Sequence, residues 1–463
     1  MVQLKKIVYW ILFTLSTAFF IHVYNVSYSW DFFAYILNAQ HWFGTQTYFE
    51  IIRPPLTQTL IGLFSFMGWN ASAYIYIIFC SGLFAFATIK IAKQLKVDEL
   101  ILYVSLLSTQ VLMMGLFAGS ELLSLTLIML GLAYALEGKP IAGLFLGLAA
   151  LTRYNNTPFI LLILFLKDYK KILQAGILFV AIFSPWLVYN YLTFGNMFRS
   201  MAELYAMNII FRQDIIQPVN INHIIRIVNI YFFALIGIFF AIRKKYFKEL
   251  IIMILIGVFV YYNYATTPVK YERYLFLLAL PLGYFAAISI QRVIDYLHPT
   301  KKLMTITTIV LALSLFLVNM SAAVNLQDNN HAQYESYQLA ITKLQELRLD
   351  KCAVLSDAWV HMNYYGINTE NPPANRLINK YVERGYVFVY FAHIEKLQEK
   401  YPKEKFRNSQ LVIFGDGCTE NTRKTYLENK KISELEERGK VLDINPCNLM
   451  FKGTLNSLCN WIN

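Results

Sequence analysis

The feature that most constrains this chain is the recurrence of apolar runs of membrane-spanning length, from Ile7 to the neighbourhood of Ala322, after which the sequence turns polar. Lipid offers the backbone no hydrogen-bond partner, so a crossing segment must be a helix, and about 20 apolar residues at roughly 1.5 Å each span the hydrocarbon core. Eleven such segments are expected, over 7–24, 71–92, 100–117, 122–136, 141–151, 157–166, 172–191, 228–242, 250–264, 274–290 and 303–322. The expected fold is an α-helical polytopic membrane protein over residues 1–325, followed by a region of ordinary composition over 326–463. The opening run is basic, then apolar for longer than a signal-peptide core, with no small-residue cleavage site; it reads as a retained anchor.

A formal net charge of +12 would suit nucleic acid if it were concentrated in one patch. Residues 1–325 hold 23 Lys/Arg against 12 Asp/Glu, and the remainder 18 against 17, so the surplus lies between the membrane segments. That is the distribution of the positive-inside rule, and no nucleic-acid partner is expected. With a cytoplasmic N-terminus the inner loops carry 16 Lys/Arg and the outer ones seven. An odd number of crossings then places the C-terminal region outside the cytoplasm, at a plasma membrane or endoplasmic reticulum. Cys352, Cys418, Cys447 and Cys459 all fall in that region, an even count suited to two disulfides in an oxidising compartment. Cys418 with Cys447 and Cys352 with Cys459 is one pairing among those open. Cys80, inside a span, reads as inert packing.

The stretch IAGLFLGLAALTRYNNTPFILLILFL bears on the whole topology. As one helix it would place Arg153, Asn155 and Asn156 at mid-membrane and reverse every later loop. Two short segments meeting at a polar turn, beside a cavity open to the outside, are expected instead, because broken helices are tolerated where they line a cavity.

On this topology the outward acids of the membrane part are Asp31, Glu50, Glu121, Glu203, Asp214 and Glu272, and the outward bases are Arg53, Arg153, Arg199, Arg212, Arg226, Lys270 and Arg273. Asp31 precedes FFAYILNAQHWF, whose apolar positions fall near helical spacing and suggest a helix lying on the membrane surface. Two readings of Asp31 follow, a helix N-cap or a proton acceptor. Arg53 precedes two prolines, whose extended turn would hold it near Asp31, or it snorkels at the interface. Glu121 opens a span that either it or Ser120 could cap. One carboxylate near several cations, at the outer face, suits an anionic membrane-embedded substrate and a hydroxyl to be deprotonated; phosphate is the natural anion for arginine forks.

Four ordered motifs carry a resemblance: WDFFAYILNAQHWFG followed by RPPL, FAGSELLSLTLIMLGLAYALEGKPIAGLFLGLAALTRYNN, SPWLVYNYLTFGNMF, and YERYLFLLALPLGY. Together they are similar to the GT-C glycosyltransferases that use polyprenyl-phosphate sugars, the group of the dolichyl-phosphate-mannose protein mannosyltransferases and the aminoarabinose transferases of lipid A. The likeness covers roughly residues 7–290. It implies transfer of a mannose-like hexose or modified pentose from a lipid-linked phosphate donor to a hydroxyl of a glycan, protein or lipid acceptor, on the extracytoplasmic face and with inversion. Asp31 would then be the general base. Arg153, Lys270 and Arg273, with Glu272 beside them, would hold the leaving phosphate, and Glu121, Arg53 and Glu50 would orient the acceptor or Asp31. The chain departs from many relatives at Phe32, where they carry a second acid, and at Arg53, where they carry His. No Asp-x-Asp occurs in the membrane part, and one phosphate can be neutralised by Arg and Lys, so no metal and no cofactor is expected.

In the C-terminal region, NNHAQYESYQLAITKLQELRLD reads as a helix, and KCAVLSD, GYVFVYF, SQLVIFG and GKVLDI as strands. These alternate with helical stretches at Ile394–Glu399 and Thr425–Arg438, an α/β layer that would cap the membrane part or guide the acceptor. Asp357, Trp359 and His361 are candidate glycan contacts there. A flippase or transporter of lipid-linked sugars would need the same charges but also internal repeats, and none is visible. A non-catalytic scaffold would tolerate replacement of Asp31.

Overall fold

The computed structural model describes residues 2–44, 48–208, 217–243, 246–297, 300–326, 331–373, 375–394 and 396–418. The expectations for Arg212, Asp214, Cys447, Cys459, the helix over 425–438 and the GKVLDI strand lie outside them.

Helices α1 (Val2–Ser27) and α2 (Trp30–Phe43) are followed by α3 (Pro55–Leu63), which opens on the second proline of RPPL. A fixed φ and a missing N–H suit proline to the first helical position. After α4 (Trp69–Leu95), the run expected to cross at 100–117 is instead two short helices, α5 (Glu99–Leu106) and α6 (Thr109–Met114). The break has a local cause. The Ser108 hydroxyl accepts from the Val111 N–H at 3.3 Å, offering the backbone a new helix start inside the apolar run.

Helices α7 (Glu121–Leu136) and α8 (Ala142–Thr152) come next, then a 3₁₀ segment over Tyr154–Leu166. The stretch expected to be broken is indeed two short pieces, and they meet at Arg153, whose backbone is extended (φ −152°, ψ 120°). Asn156 stitches the break: its Nδ2 donates to the Ala149 carbonyl at 2.9 Å and to the Ser124 hydroxyl at 2.7 Å. Helices α9 (Tyr169–Phe194), α10 (Arg199–Asn208), α11 (Ile221–Arg243) and α12 (Phe247–Thr266) lead to a 3₁₀ turn over Glu272–Leu278, which runs into α13 (Ala279–Leu297) and then α14 (Lys301–Leu326). Among the described residues, six helices are long and apolar enough to cross a membrane: Gln3–Ser27, Trp69–Leu95, Tyr169–Phe194, Phe247–Thr266, Glu272–Leu297 and Lys301–Leu326. Of the other expected crossings, those at 100–117, 122–136, 141–151 and 157–166 correspond to shorter pieces, and the one at 228–242 lies within α11.

By contact the chain divides into two compact units. One comprises Met1–Asn25, Pro54–Leu60 and Asn70–Gln327; the other comprises Val26–Arg53, Ile61–Trp69 and Asp328–Asn463. The segment bearing Asp31, Glu50 and Arg53 therefore groups with the C-terminal region, although the sequence division at 325/326 keeps it with the membrane part. In the first unit, helices approach closely at glycine. A Cβ on Gly143 of α8 would collide with the Ala175 carbonyl of α9, and one on Gly237 of α11 with the Phe285 carbonyl of α13. Small residues at such seams let helices pack where lipid supplies no hydrophobic drive.

The second unit holds α15 (His331–Glu346), β1 (Val354–Ser356), α16 (Trp359–Tyr364), β2 (Thr369–Glu370), α17 (Ile378–Glu383), β3 (Val387–Phe391), β4 (Glu404–Arg407) and β5 (Leu411–Phe414). The sheet order is β2-β1-β3-β5-β4, with β1 parallel to β2 and β3, and β5 antiparallel to β3 and β4. Side chains alternate across β3: Val387, Val389 and Phe391 join a core with Tyr337 and Leu344 of α15, while Phe388 and Tyr390 join one with Leu355 and Phe414. The described residues of 394–399 form a turn and irregular chain, not the expected helix. The sequence EKLQEKYP offers no apolar helical face and runs into Pro402.

The disulfide joins Cys352 to Cys418, which corrects the pairing of Cys352 with Cys459 and Cys418 with Cys447. Topology explains it. Val354 of β1 lies opposite Val387, and Phe388 opposite Phe414 of β5, so the start of β1 and the end of β5 lie at the same end of the sheet.

Candidate functional site

Helix α2 buries Phe32 to Ala39 without interruption, so it is not the surface-lying amphipathic helix its spacing suggests. It packs against α16 through ring pairs: Phe33 stacks on Tyr364 at 3.9 Å, and Trp30 meets Trp359 edge-on at 4.3 Å. Asp31 is not the N-cap. Ser29 holds that position without a side-chain cap bond, and Asp31 lies in the first turn, where the helix dipole favours a negative charge.

The Asp31 carboxylate accepts from Arg53 Nη1 at 2.9 Å, and Arg53 Nε donates to Glu50 Oε2 at 2.5 Å. One guanidinium thus bridges two carboxylates, leaving the trio with a formal charge of minus one. Burial grades across it: side-chain exposure is 4% for Glu50, 10% for Arg53 and 25% for Asp31, so the excess charge can reach solvent at Asp31. Burial alone would lower the Arg53 pKa, but the Glu50 and Asp31 carboxylates outweigh it and hold it above its ordinary value. The guanidinium also lies over the Tyr35 ring, 5.2 Å from the centroid.

Two residues that sequence reasoning missed fix Glu50. The Asn38 amide donates to the Glu50 carbonyl and accepts from the Glu50 N–H, both at 2.8 Å. The Tyr48 hydroxyl donates to Glu50 Oε1; burial and then the adjacent carboxylate push its pKa well up, so it remains a donor. The available signal was Asn38 itself, an amide in the middle of an otherwise apolar helical stretch, which needs partners when buried.

In the other unit, Glu121 opens α7 and is almost fully buried. Its Oε1 accepts from Arg153 Nη1, and its Oε2 accepts from the Ser120 N–H at 3.3 Å and from the Ser120 hydroxyl at 3.4 Å. Ser120 itself makes no side-chain cap bond. Arg153 stands at the helix break, 21% exposed at its side chain, and carries more donors than Glu121 takes up. Lys270 does different work from the expected phosphate contact. Its Nζ donates to the carbonyls of Tyr264 (3.1 Å), Ala265 (2.8 Å) and Thr267, satisfying the C-terminal end of α12 with a cation. The Glu272 carbonyl accepts from Gln110 Nε2 at 3.1 Å, and the Arg273 guanidinium lies over the rings of Tyr271 and Tyr274.

The SPWLVYN motif forms a polar clasp. Trp186 Nε1 donates to the Tyr154 hydroxyl at 2.6 Å and to the Ser200 hydroxyl at 3.1 Å, while Asn190 Oδ1 accepts from the Ser200 N–H at 3.2 Å. Arg199 and Glu203, one turn apart on α10, pair with each other. Of the three candidate glycan contacts, Asp357 instead accepts from the Phe391 N–H at 3.0 Å and ties the ends of β1 and β3, whereas Trp359 and His361 pack against α2. No protein-family model matches the chain, and no curated protein matches it.

Proposed function

We propose that the protein is an integral-membrane inverting glycosyltransferase of the GT-C type, moving a sugar from a polyprenyl phosphate to an acceptor hydroxyl on the extracytoplasmic face. The observation that carries the reading is the graded trio Glu50–Arg53–Asp31: a negative cluster whose buried members are fixed and whose accessible member is a carboxylate. Asp31 takes the proton of the acceptor hydroxyl as that oxygen attacks the anomeric carbon. The bond from that carbon to the phosphate oxygen breaks, and polyprenyl phosphate leaves with the electron pair. Arg53, divided between two acids, orients Asp31 and leaves the trio net negative. The resemblance assigns the leaving phosphate, a group whose charge grows in the transition state, to Arg153 and Arg273. The six long apolar helices support a membrane-embedded site for a lipid donor.

The test is release of polyprenyl phosphate from polyprenyl-phosphate mannose by the purified protein with membrane acceptor supplied. Asp31→Asn should lower turnover at least about 100-fold while donor binding persists, a general-base loss. Full activity in that variant removes the assignment. Transport of the intact lipid without phosphate release indicates a flippase instead.

A further inference from the structure

The turn that launches the Asp31 helix is strained. Tyr28, between α1 and α2, has φ of +45°, in the left-handed region that non-glycine residues rarely occupy. Such a conformation persists only where its surroundings hold it. Two contacts do so. The Tyr28 ring stacks on Tyr334 of α15 at 5.2 Å, and the Tyr28 carbonyl lies 2.8 Å from His361 Nε2 on α16, 333 residues away in sequence. A carbonyl only accepts, so Nε2 carries the hydrogen and donates.

His361 is itself enclosed. Its ring stacks on Tyr337 of α15 at 4.6 Å and meets Trp30 and Phe33 of α2 edge-on at 5.3 and 5.5 Å. Its Nδ1 is buried and, among the described residues, has no hydrogen-bond partner. A proton there would have no acceptor, which selects the neutral ring with hydrogen on Nε2. The same burial, opposed by the bond to Tyr28 and assisted by nearby His393, pushes the imidazole down to about 4. His361 therefore stays a neutral donor through the physiological range.

We propose that His361 is a positioning residue for Asp31: by donating to the Tyr28 carbonyl it fixes the strained turn from which α2 starts, so that the C-terminal region sets the place of the Asp31 carboxylate. The inference rests on the glycosyl-transfer reading for what Asp31 does, but not for how α2 is held. The ring contacts of Trp30 and Phe33 give α2 its packing; the hydrogen bond gives its first turn a direction. Asp31 is the third residue after Tyr28, close enough to inherit that direction.

The experiment uses the full chain in lipid nanodiscs. His361→Phe keeps a ring for stacking and removes the donor, whereas His361→Gln keeps an N–H within reach. Hydrogen exchange read by mass spectrometry should rise at least tenfold over Trp30–Phe43 in His361→Phe, remain unchanged over β1 and β3, and return toward wild type in His361→Gln. With polyprenyl-phosphate mannose as donor, His361→Phe should lower kcat at least tenfold with the donor KM unchanged, again rescued by Gln. Unchanged exchange in α2, or a rise spread equally over the strands, overturns the proposal, the latter by showing a role in stability alone. A wild-type protein without transfer activity sinks the glycosyltransferase reading, and the exchange data still decide whether His361 directs α2.

Discussion

Arg53 is the residue on which the candidate site balances. It is nine-tenths buried, and its two carboxylate partners would face one another without it. Removing one member of a buried ion cluster leaves uncompensated charge, which costs about 3 kcal/mol or more. Arg53→Ala is therefore expected to lower thermal stability and to abolish turnover. Arg53→Lys keeps the charge but loses the planar fork that reaches both acids, so it should fold nearly as well and lose roughly tenfold in turnover. Unfolding temperature and phosphate release separate the two effects; an alanine variant with wild-type values for both would show that the cluster organises nothing. The nearness of Asp31 and Arg53 was legible in the sequence because a helix followed by Pro-Pro returns the chain on itself. Asn38 and Tyr48 were not legible as site residues. Asn38 grips the backbone of Glu50, and a backbone partner leaves no pattern in side chains. Lys270 misled for a related reason: a cation after a span reads as an outward charge, yet three carbonyls at the end of α12 consume its donors.

Between elements, breaks in helices proved as informative as the helices. The break at Arg153 was readable because Arg and Asn cannot lie at mid-membrane without partners. The one at Ser108 was hidden, since serine is tolerated within apolar helices and only its cap geometry ends α5 and starts α6. The short α8 relies on contact with α9, where Gly143 lies against the Ala175 backbone. A side chain there must push two backbones apart, and overpacking of this kind costs about 1–3 kcal/mol or more. Gly143→Leu should accordingly lower the unfolding temperature in nanodiscs. Gly176→Leu, on α9 where a Cβ meets nothing within 4 Å, is the control and should leave stability unchanged or slightly raised. Equal behaviour of the two variants would mean that the α8–α9 approach does not contribute to stability.

For the whole molecule, the Cys352–Cys418 bond connects covalent structure to compartment. The five strands it brackets were partly legible: β1, β3 and β5 announced themselves as apolar runs, but β2 is two residues long and β4 is a charged, mostly exposed edge. Sheet order and disulfide pairing follow from how those strands assemble, which no local pattern encodes. The bond closes a loop of 66 residues, and the chain-entropy account assigns such a loop about 4 kcal/mol of stabilisation. Removing it by Cys352→Ser should lower the unfolding temperature of the C-terminal region, read from the tryptophans of α2 and α16, while the long apolar helices remain folded. A disulfide of this kind persists in an oxidising compartment and is reduced in the cytoplasm. In intact cells, then, Cys418 should resist a membrane-impermeant maleimide in the wild-type chain and become labelled in Cys352→Ser. Labelling at Cys418 itself in the wild type without a reductant, read by peptide mass spectrometry, would show that the bond is not formed. Failure to label Cys352→Ser, with labelling restored once the membrane is permeabilised, would place the C-terminal region in the cytoplasm and remove the extracytoplasmic face from the proposed reaction.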